Sequence, residues 1–245
     1  MCYWAPPVLL RPGNPIVIDN ASSDVGHGQS NWQLVHSLGN TSPDSKCTTM
    51  NEIGTHRKLV KHNHEPGDFH ELTFSCYKRM PLLTNDDWRE RFAHNIQVAC
   101  EEESIDLVAF VFMPEHVHLL VYPREPDPSI GKFLARIKQP TSKSIKQTLI
   151  ERDSDLLGKL TVRERPGKTC FRFWQEGPGF DRNLYSVQAI SAAIDYIHMN
   201  PVKRGLSEKA IDWKWSSARY HILEPPKQQF ACLPYVHGIP LGAFD

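Results

Sequence analysis

Two β-prone segments separated by a two-residue turn are the strongest structural constraint in this chain. Residues 107–113, "LVAFVFM", are uniformly apolar, and residues 116–122, "HVHLLVY", carry aliphatic and aromatic side chains of the kind found in strands. Pro114 and Glu115 between them suit a tight turn, so the two segments are predicted to pair as an antiparallel hairpin. The fold therefore contains a sheet, and any helices must be arranged around this hairpin.

The segments before the hairpin predict one strand and one helix. Residues 68–78, "DFHELTFSCYK", mix aromatic, aliphatic and Thr side chains in loose alternation, which favours a strand. Apolar residues then recur at helical spacing and predict a helix over residues 84–103. Thr84, followed by Asp87 three residues later, resembles a capping box at the start of this helix.

The segments after the hairpin complete a recognisable order of elements. Helical spacing predicts a second helix over residues 127–151, which Pro140 should kink. Residues 169–174 are predicted to be a last strand, and residues 183–200 a helix that ends at Pro201. The fold class is therefore α+β, with the order of a ferredoxin-like split βαβ sandwich: an antiparallel sheet with helices on one face, plus a C-terminal helix that bears a tyrosine.

The ends of the chain differ in composition from its middle. Residues 1–66 are rich in Pro, Gly, Asn and Ser without a sustained apolar period, which is typical of a flexible or disordered extension. The folded domain is predicted over residues 67–222, and residues 223–245 are predicted to be a tail. Translation starting at Met50 is a further hypothesis, which recovery of residues 1–49 by mass spectrometry would refute.

The bulk composition restricts the kind of protein without naming its function. The chain has 28 basic and 28 acidic residues, so a polyanion could be bound only by a local patch of charge. No apolar run approaches the roughly 20 residues of a membrane-spanning helix, and the N-terminus lacks the pattern of a secretion signal. The six cysteines form no C-x-x-C pair, so they are expected to be reduced. A cytoplasmic location without a membrane partner is expected.

Two histidines in the second strand of the hairpin are candidate metal ligands. Side chains alternate along a strand, so His116 and His118 share one face, about 7 Å apart, and can converge on one ion. The alternative is a pair of surface or half-buried histidines, which is weakened by their apolar neighbours, because buried imidazoles need partners. A histidine-triad hydrolase would have a third histidine where this chain has Leu120, and no H-E-x-x-H motif is present.

The last predicted helix carries a tyrosine away from its apolar stripe. Tyr196 lies off that stripe, and Asn200 follows one helical turn later, so the phenol and the amide are neighbours. Small alanines beneath them leave room for a bulky group, although a partly buried structural tyrosine is the alternative for Tyr196 alone. His198 points to the apolar side and is expected to be packed. The core stripe is predicted to consist of Leu184, Val187, Ile190, Ile194 and Ile197.

Four ordered motifs together resemble a known family of enzymes. They are "FMPEHVHLLV", "FWQEGPGFDR", "DYIHMNPVKRGL" and "DWKWSSARYH", and they span about residues 68–221. With them the sequence resembles the single-tyrosine HUH transposases of the insertion-sequence 200-like family, and most of all the REP-associated tyrosine transposases. The Pro140 position and the first 66 residues depart from that resemblance.

The resemblance implies a catalytic set and a cofactor. His116 and His118 match the two metal ligands, Asn200 matches a third ligand through its amide oxygen, and the cofactor is a divalent metal, Mg²⁺ or Mn²⁺. Tyr196 matches the nucleophile that becomes linked to a DNA 5′ phosphate. A phosphotyrosine conserves bond energy for rejoining, so no ATP site is needed. Tyr185 lies roughly 16 Å from Tyr196 along the helix axis and is not expected to act as a second nucleophile.

The resemblance also implies a nucleic-acid partner, namely single-stranded or hairpin DNA with palindromic repeats, bound by a monomer or a homodimer associated with the nucleoid. Cations interleaved with aromatic rings suit such DNA, although a solvated loop with core aromatics is the alternative. The residues predicted to bind DNA are Arg163, Arg165, Lys168, Arg172, Trp174, Lys203 and Arg204.

Two other functions are compatible with parts of the sequence. A domesticated relative could bind structured DNA repeats without transposition activity, but the intact set of predicted site residues argues against such decay. A metal-dependent hydrolase of small phosphate esters would need a water-activating group, and the sequence offers no candidate. The main prediction is therefore a transposase that cleaves and rejoins single-stranded or hairpin DNA.

Overall fold

A computed structural model of the chain describes residues 65–177, 179–223, 230–241 and 243. The extension predicted over residues 1–66 lies almost entirely outside the described residues. Within the described part, no helix is both long and apolar enough to cross a membrane.

The described residues contain strands and helices in the predicted alternating order. The strands are β1 (Phe69–Ser75), β2 (Ile105–Phe112), β3 (His116–Pro123), β4 (Thr161–Arg165), β5 (Lys168–Phe171) and β6 (Phe180–Leu184). The helices are α1 (Asp86–Glu102), α2 (Ile130–Glu151), α3 (Asp155–Leu160), α4 (Val187–Lys203) and α5 (Ala218–Ile222), with short 3₁₀ turns at Tyr77–Arg79, Leu82–Thr84 and Ala210–Asp212.

The central sheet has four antiparallel strands in the order β2-β3-β1-β6. The predicted hairpin is confirmed as β2 and β3, and β1 pairs with the free side of β3. A strand inserted between two strands that a helix connects is the defining feature of the split βαβ arrangement, so the predicted fold class is confirmed.

Helices cover both faces of this sheet and divide the core into two clusters. On one face, Phe92 of α1 and Ile137 of α2 pack with Val117 and Leu119 of β3. On the other face, the apolar stripe of α4 packs on β2 and β3. That stripe was correctly predicted for Ile190, Ile194 and Ile197, whereas Val187 is exposed.

The predicted start of the first helix was one residue too early. Asn85, not Thr84, is the N-cap, and its side chain accepts a hydrogen bond from the backbone N–H of Trp88. Thr84 instead donates from its hydroxyl to the carbonyl of Pro81 in the preceding 3₁₀ turn. Asn and Thr are both favourable N-cap residues, so the sequence contains two adjacent candidates. Thr84 belongs to the 3₁₀ turn Leu82–Thr84, and Asn85 is therefore the cap.

The second helix, α2, continues through Pro140 without a break. Proline removes one backbone donor, which leaves the carbonyl four residues earlier, at Arg136, without its helical partner. Both residues lie on the exposed face of the helix, where a lost backbone hydrogen bond costs less than in the core.

The fourth strand of the sheet was assigned to the wrong segment. Residues 169–174 were predicted to form it, but β5 within that range pairs only with β4, as a separate two-stranded ribbon. The fourth strand is β6, which pairs with β1. Its sequence "FDRNL" is too polar to stand out, because the burial of Asp181 and the ion pair of Arg182 depend on partners in β1.

Helix α4 begins later and ends later than predicted. Residues 183 and 184 belong to β6, and Ser186 caps the helix by accepting a hydrogen bond from the N–H of Ala189. Pro201 lies inside the last turn and does not end the helix. Pro201 is buried, so the packing of its apolar ring can offset the one backbone hydrogen bond that proline cannot donate.

The chain beyond α4 closes the free edge of β2. The backbone N–H of Phe112 donates to the carbonyl of Trp215, and the N–H of His237 donates to the carbonyl of Leu107. His198 of α4 is buried and shares a 2.8 Å hydrogen bond between its Nε2 and the Ser217 hydroxyl, as expected for a packed histidine. These contacts fix α4 relative to the sheet.

Candidate active site

Strand register places the two predicted histidine ligands under α4. In the pairing of β1 with β3, Ser75 lies opposite His116 and Thr73 lies opposite His118. The histidines share a sheet face with Leu120, which belongs to the core cluster beneath α4. Their ring centroids are 4.9 Å apart, so the pair converges as predicted.

His118 has a hydrogen-bond partner at each ring nitrogen, and the contact at Nε2 is the longer of the two. Its Nδ1 lies 2.8 Å from the hydroxyl oxygen of Thr73, and its Nε2 faces the amide of Asn200. With the proton on Nδ1, the ring donates to Thr73 and keeps a lone pair on Nε2. Burial, reinforced by the nearby His116, lowers the pKa of His118 to about 4, so the ring is neutral at pH 7.

His116 is oriented in the same way by a carboxylate. Its Nδ1 lies 3.1 Å from Oε1 of Glu115, and Arg204 donates to that same oxygen at 2.7 Å. Burial lowers the pKa of His116, although Glu115 opposes the shift. Burial alone would raise the pKa of Glu115, but the hydrogen bond from Arg204 and the proximity of His116 bring it below its usual value. Glu115 is therefore an ionised acceptor that keeps Nε2 of His116 available.

Tyr196 and Asn200 of α4 both lie against His118. The Tyr196 ring stands perpendicular to the His118 ring, with 5.4 Å between centroids, and its side chain is 45% exposed. Nδ2 of Asn200 is 3.4 Å from Nε2 of His118, and Asn200 is buried. One helical turn therefore brings an accessible phenol and a buried amide to the same imidazole.

Positive charge lies next to the phenol. Nζ of Lys203 is 5.2 Å from the centroid of the Tyr196 ring, within the range of a cation–π contact. Lys203 lies seven residues, or two helical turns, after Tyr196, so both side chains project from the same side of α4. The cation is well placed to stabilise a negative charge that develops near the phenol.

The imidazoles of His116 and His118 could hold a divalent cation if the amide of Asn200 is a third ligand. In the described part of the chain, no group of three His, Cys, Asp or Glu side chains could hold a metal ion. Two imidazole nitrogens and one amide oxygen would therefore be the protein ligands, since rotation of the Asn200 amide exchanges Nδ2 for Oδ1. Each imidazole already has its outer nitrogen bound, as is usual for metal-ligating histidines.

Comparison with known proteins agrees with this geometry. Residues 69–161 match the model of a family described as IS200-like transposases. This part of the chain is therefore similar to the IS200-like transposases. Transposases are DNA-cleaving enzymes. The resemblance inferred from the sequence motifs is thereby confirmed.

Two individual proteins similar to this chain are described as REP-associated tyrosine transposases. A Haemophilus influenzae protein described as a REP-associated tyrosine transposase is 28% identical over 131 residues, which are 54% of this chain and 69% of the relative. Among solved structures, a REP-associated tyrosine transposase bound to a REP hairpin matches with a TM-score of 0.53 and 17% identity. The match covers 76% of this chain and 99% of the other and shows a shared fold.

Of the residues predicted to bind DNA, two border the candidate site. They are Lys203, beside Tyr196, and Arg204, which bonds Glu115 and keeps a side chain 49% exposed. The others belong to the ribbon of β4 and β5 or to the segment just after it. Arg163 and Arg165 are exposed there, whereas Lys168 pairs with Glu164 and Arg172 pairs with Glu176.

Trp174 was predicted to contact DNA, but the structure places it in the core. Only 7% of it is exposed, and its ring lies 5.2 Å from each of the Phe74 and Phe92 rings. Its indole N–H donates to the carbonyl of Lys138 in α2. A ring packed on all sides is unavailable for stacking on a base, so the alternative of a core aromatic is the correct one for Trp174.

Thr73 is a site residue that sequence reasoning did not single out. It lies in the middle of β1, where Glu71, Thr73 and Ser75 alternate with the buried Leu72 and Phe74. Three polar residues on one face of a central strand are a detectable signal, because that face cannot be ordinary core. The sequence could not show that this face is the one shared with His116 and His118.

Proposed function

We propose that this protein is a transposase, a metal-dependent strand transferase that cleaves and rejoins single-stranded or hairpin DNA through a 5′-phosphotyrosine on Tyr196. One observation carries the proposal. His118 presents its Nε2 to Asn200 and its ring to Tyr196, while Thr73 holds its other nitrogen. A nucleophile, a candidate ligand set and its orienting groups thus meet at one imidazole.

The cofactor in this proposal is Mg²⁺ or Mn²⁺. Nε2 of His116, Nε2 of His118 and the amide oxygen of Asn200 would hold it, and both metals accept such nitrogen and oxygen ligands. When bound, a divalent cation polarises the scissile phosphate and offsets the charge that builds up on it. Neutral imidazoles are required for this role, and burial keeps both rings neutral at pH 7.

The residues of the chain supply the nucleophile and its surroundings. The Tyr196 oxygen attacks the phosphorus, the new bond joins the phosphate to tyrosine, and the bond to the 3′ oxygen breaks. The phenolic proton passes to solvent, and the departing oxygen takes up a proton to become a 3′ hydroxyl. Lys203 lies beside the phenol, and its positive charge would stabilise the negative charge that develops during the attack. Attack of a 3′ hydroxyl on the phosphotyrosine reverses these steps and rejoins the strand.

Hairpin DNA is the proposed substrate for two reasons. The solved relative with the same fold is described as bound to a REP hairpin. In this chain, Lys203 and Arg204 place positive charge beside Tyr196 and Glu115, and Arg163 and Arg165 are exposed cations on the ribbon of β4 and β5. Cations in such positions suit the phosphates of a folded DNA strand.

A covalent-adduct assay tests the proposal. Labelled hairpin DNA with a single-stranded flank is incubated with Mn²⁺ and the protein, and adducts are separated under denaturing conditions. We expect an adduct and a free 3′ hydroxyl with the natural protein and with Tyr185→Phe, and neither with Tyr196→Phe. Equal cleavage by Tyr196→Phe would overturn the assignment of the nucleophile. Salt-dependent binding without any cleavage would instead favour a domesticated DNA-binding protein.

A further inference from the structure

Part of the sheet next to the site is not covered by α4. The helix packs on β2 and β3, whereas β1 and β6 form the other half of the sheet. On the site face of that half, Thr73 and Ser75 are partly exposed, and Phe180 and Arg182 of β6 are exposed. An open strip of sheet therefore extends from the histidines to the edge strand.

Phe180 is the aromatic side chain on this strip. It lies opposite Thr73 in the pairing of β1 with β6, and Thr73 in turn lies opposite His118. Neighbouring strands are about 4.8 Å apart, so Phe180 is about 10 Å across the sheet from His118. Its side chain is 55% exposed, although it is a large apolar ring on a sheet face.

The backbone around Phe180 is built to bring it close to Thr73. Gly179 has a φ of +87°, and a Cβ at that position would lie 2.4 Å from the carbonyl oxygen of Thr73. A residue with a side chain could not approach β1 so closely, so glycine is required for the placement of Phe180. Two residues later, Arg182 anchors β6 by donating two hydrogen bonds to the buried carboxylate of Glu71.

We propose that Phe180 is a stacking platform for an unpaired base of the DNA strand near the cleaved phosphate. The inference rests on the proposed function, because it takes the scissile phosphate to lie between Tyr196 and His118. A strand leaving that point is blocked by α4 on the side of β2, so it crosses β1 and β6. An exposed ring on a rigid strand can then receive a base, and such stacking is tolerant of base identity.

The position of Phe180 distinguishes it from an ordinary exposed apolar residue. Single hydrophobic residues at protein surfaces are common and need no explanation. Tyr185 is such a residue, since it is 81% exposed and follows the end of β6. Phe180 instead lies on the sheet face that carries the histidines, held there by a glycine with a positive φ and by an ion pair.

A binding experiment without metal tests the platform apart from the cleavage chemistry. Affinity is measured for a DNA hairpin with a short single-stranded flank and for the same hairpin without the flank. We expect Phe180→Ala to weaken binding of the flanked hairpin by about 5- to 100-fold, the range for one stacked base, and to leave the blunt hairpin unaffected. Phe180→Trp should retain affinity, and Tyr185→Ala is the matched control that should change neither.

An abasic scan locates the base and excludes a general folding defect. Each flank nucleotide is replaced in turn by an abasic analogue, and affinity is measured with the natural protein and with Phe180→Ala. One position should weaken binding to the natural protein and have no further effect in the variant. Additive losses at every position, or an equal loss on the blunt hairpin, would overturn the inference.

The two proposals fail in different ways. If the natural protein forms no adduct on Tyr196 but the abasic scan identifies one coupled position, the platform stands and the proposed chemistry fails. If adducts form on Tyr196 and Phe180→Ala binds flanked hairpins normally, the chemistry stands and the platform fails.

Discussion

The two regions predicted to serve DNA cleavage differ in how firmly they are held. The site residues project from β3 and α4, two elements that pack against each other in the core. The ribbon of β4 and β5 is a separate two-stranded sheet with mostly exposed side chains. Reacting groups need fixed geometry, whereas cations that follow a phosphate backbone can act from a flexible support.

Electrostatics separates the two regions as well. At the site, the carboxylate of Glu115 has two defined partners, Arg204 and His116. On the ribbon, Lys168 and Arg172 form pairs with nearby carboxylates at the surface, where such pairs contribute little to stability. Substitutions should therefore have large, specific effects at the site and small, graded effects on the ribbon.

The largest effect is expected from His118→Ala. Loss of this imidazole removes a proposed metal ligand and the contact to both Tyr196 and Asn200, so the cleavage rate should fall by about 100- to 1000-fold, as when one group that stabilises the transition state is lost. The measurement is single-turnover cleavage of flanked hairpin DNA at saturating Mn²⁺. His94→Ala, on the exposed face of α1, is the control. A His118→Ala protein that cleaves normally would contradict the role of the histidine pair.

An intermediate effect is expected from Thr73→Val, which keeps the shape of the side chain but removes its hydroxyl. The Nδ1 of His118 then loses its partner, and the loss of such an orienting group typically costs about 10- to 100-fold in metal affinity or activity. Mn²⁺ affinity measured by calorimetry is the direct readout. Thr73→Ser restores the hydroxyl and should recover most of the affinity. Equal Mn²⁺ binding by all three proteins would show that Thr73 does not act through His118.

The same contrast explains which parts could be predicted from the sequence. His116, His118, Tyr196 and Asn200 lie on two regular elements, so the periods of strand and helix were enough to place each pair on one face. That the two faces meet depends on the order of strands, which the motif order supplied through family resemblance. The sequence did not indicate a role for Thr73, because its contact with His118 depends on the pairing of β1 with β3.

The incorrect predictions concern segments whose structure is determined by contacts with residues distant in the sequence. The aromatic run of residues 169–174 resembles a strand of the main sheet, yet Trp174 is buried against Phe74 and Phe92 of other elements. The true edge strand, β6, is polar in sequence because Glu71 neutralises Arg182 and His70 bonds Asp181. Composition cannot reveal a strand whose polar side chains are matched across a sheet.

The smallest effect is expected on the ribbon, from Arg163→Ala. Arg163 is exposed, and no ion pair is assigned to it among the described residues, so its contribution to DNA binding would come from a phosphate contact. Affinity for flanked hairpin DNA should fall only several-fold, and the slope of log affinity against log salt should decrease by about 1, with the same change on any DNA sequence. Lys168→Ala should have a smaller effect, because Glu164 already neutralises that cation. Affinities measured over a salt series test both expectations.

The cleavage rate at saturating DNA should remain unchanged, since the ribbon contributes no group to the site around His118. A fall in that rate equal to the fall in affinity would mean that the ribbon also positions the reacting phosphate, and the division between a rigid chemical centre and a peripheral binding element would then be wrong.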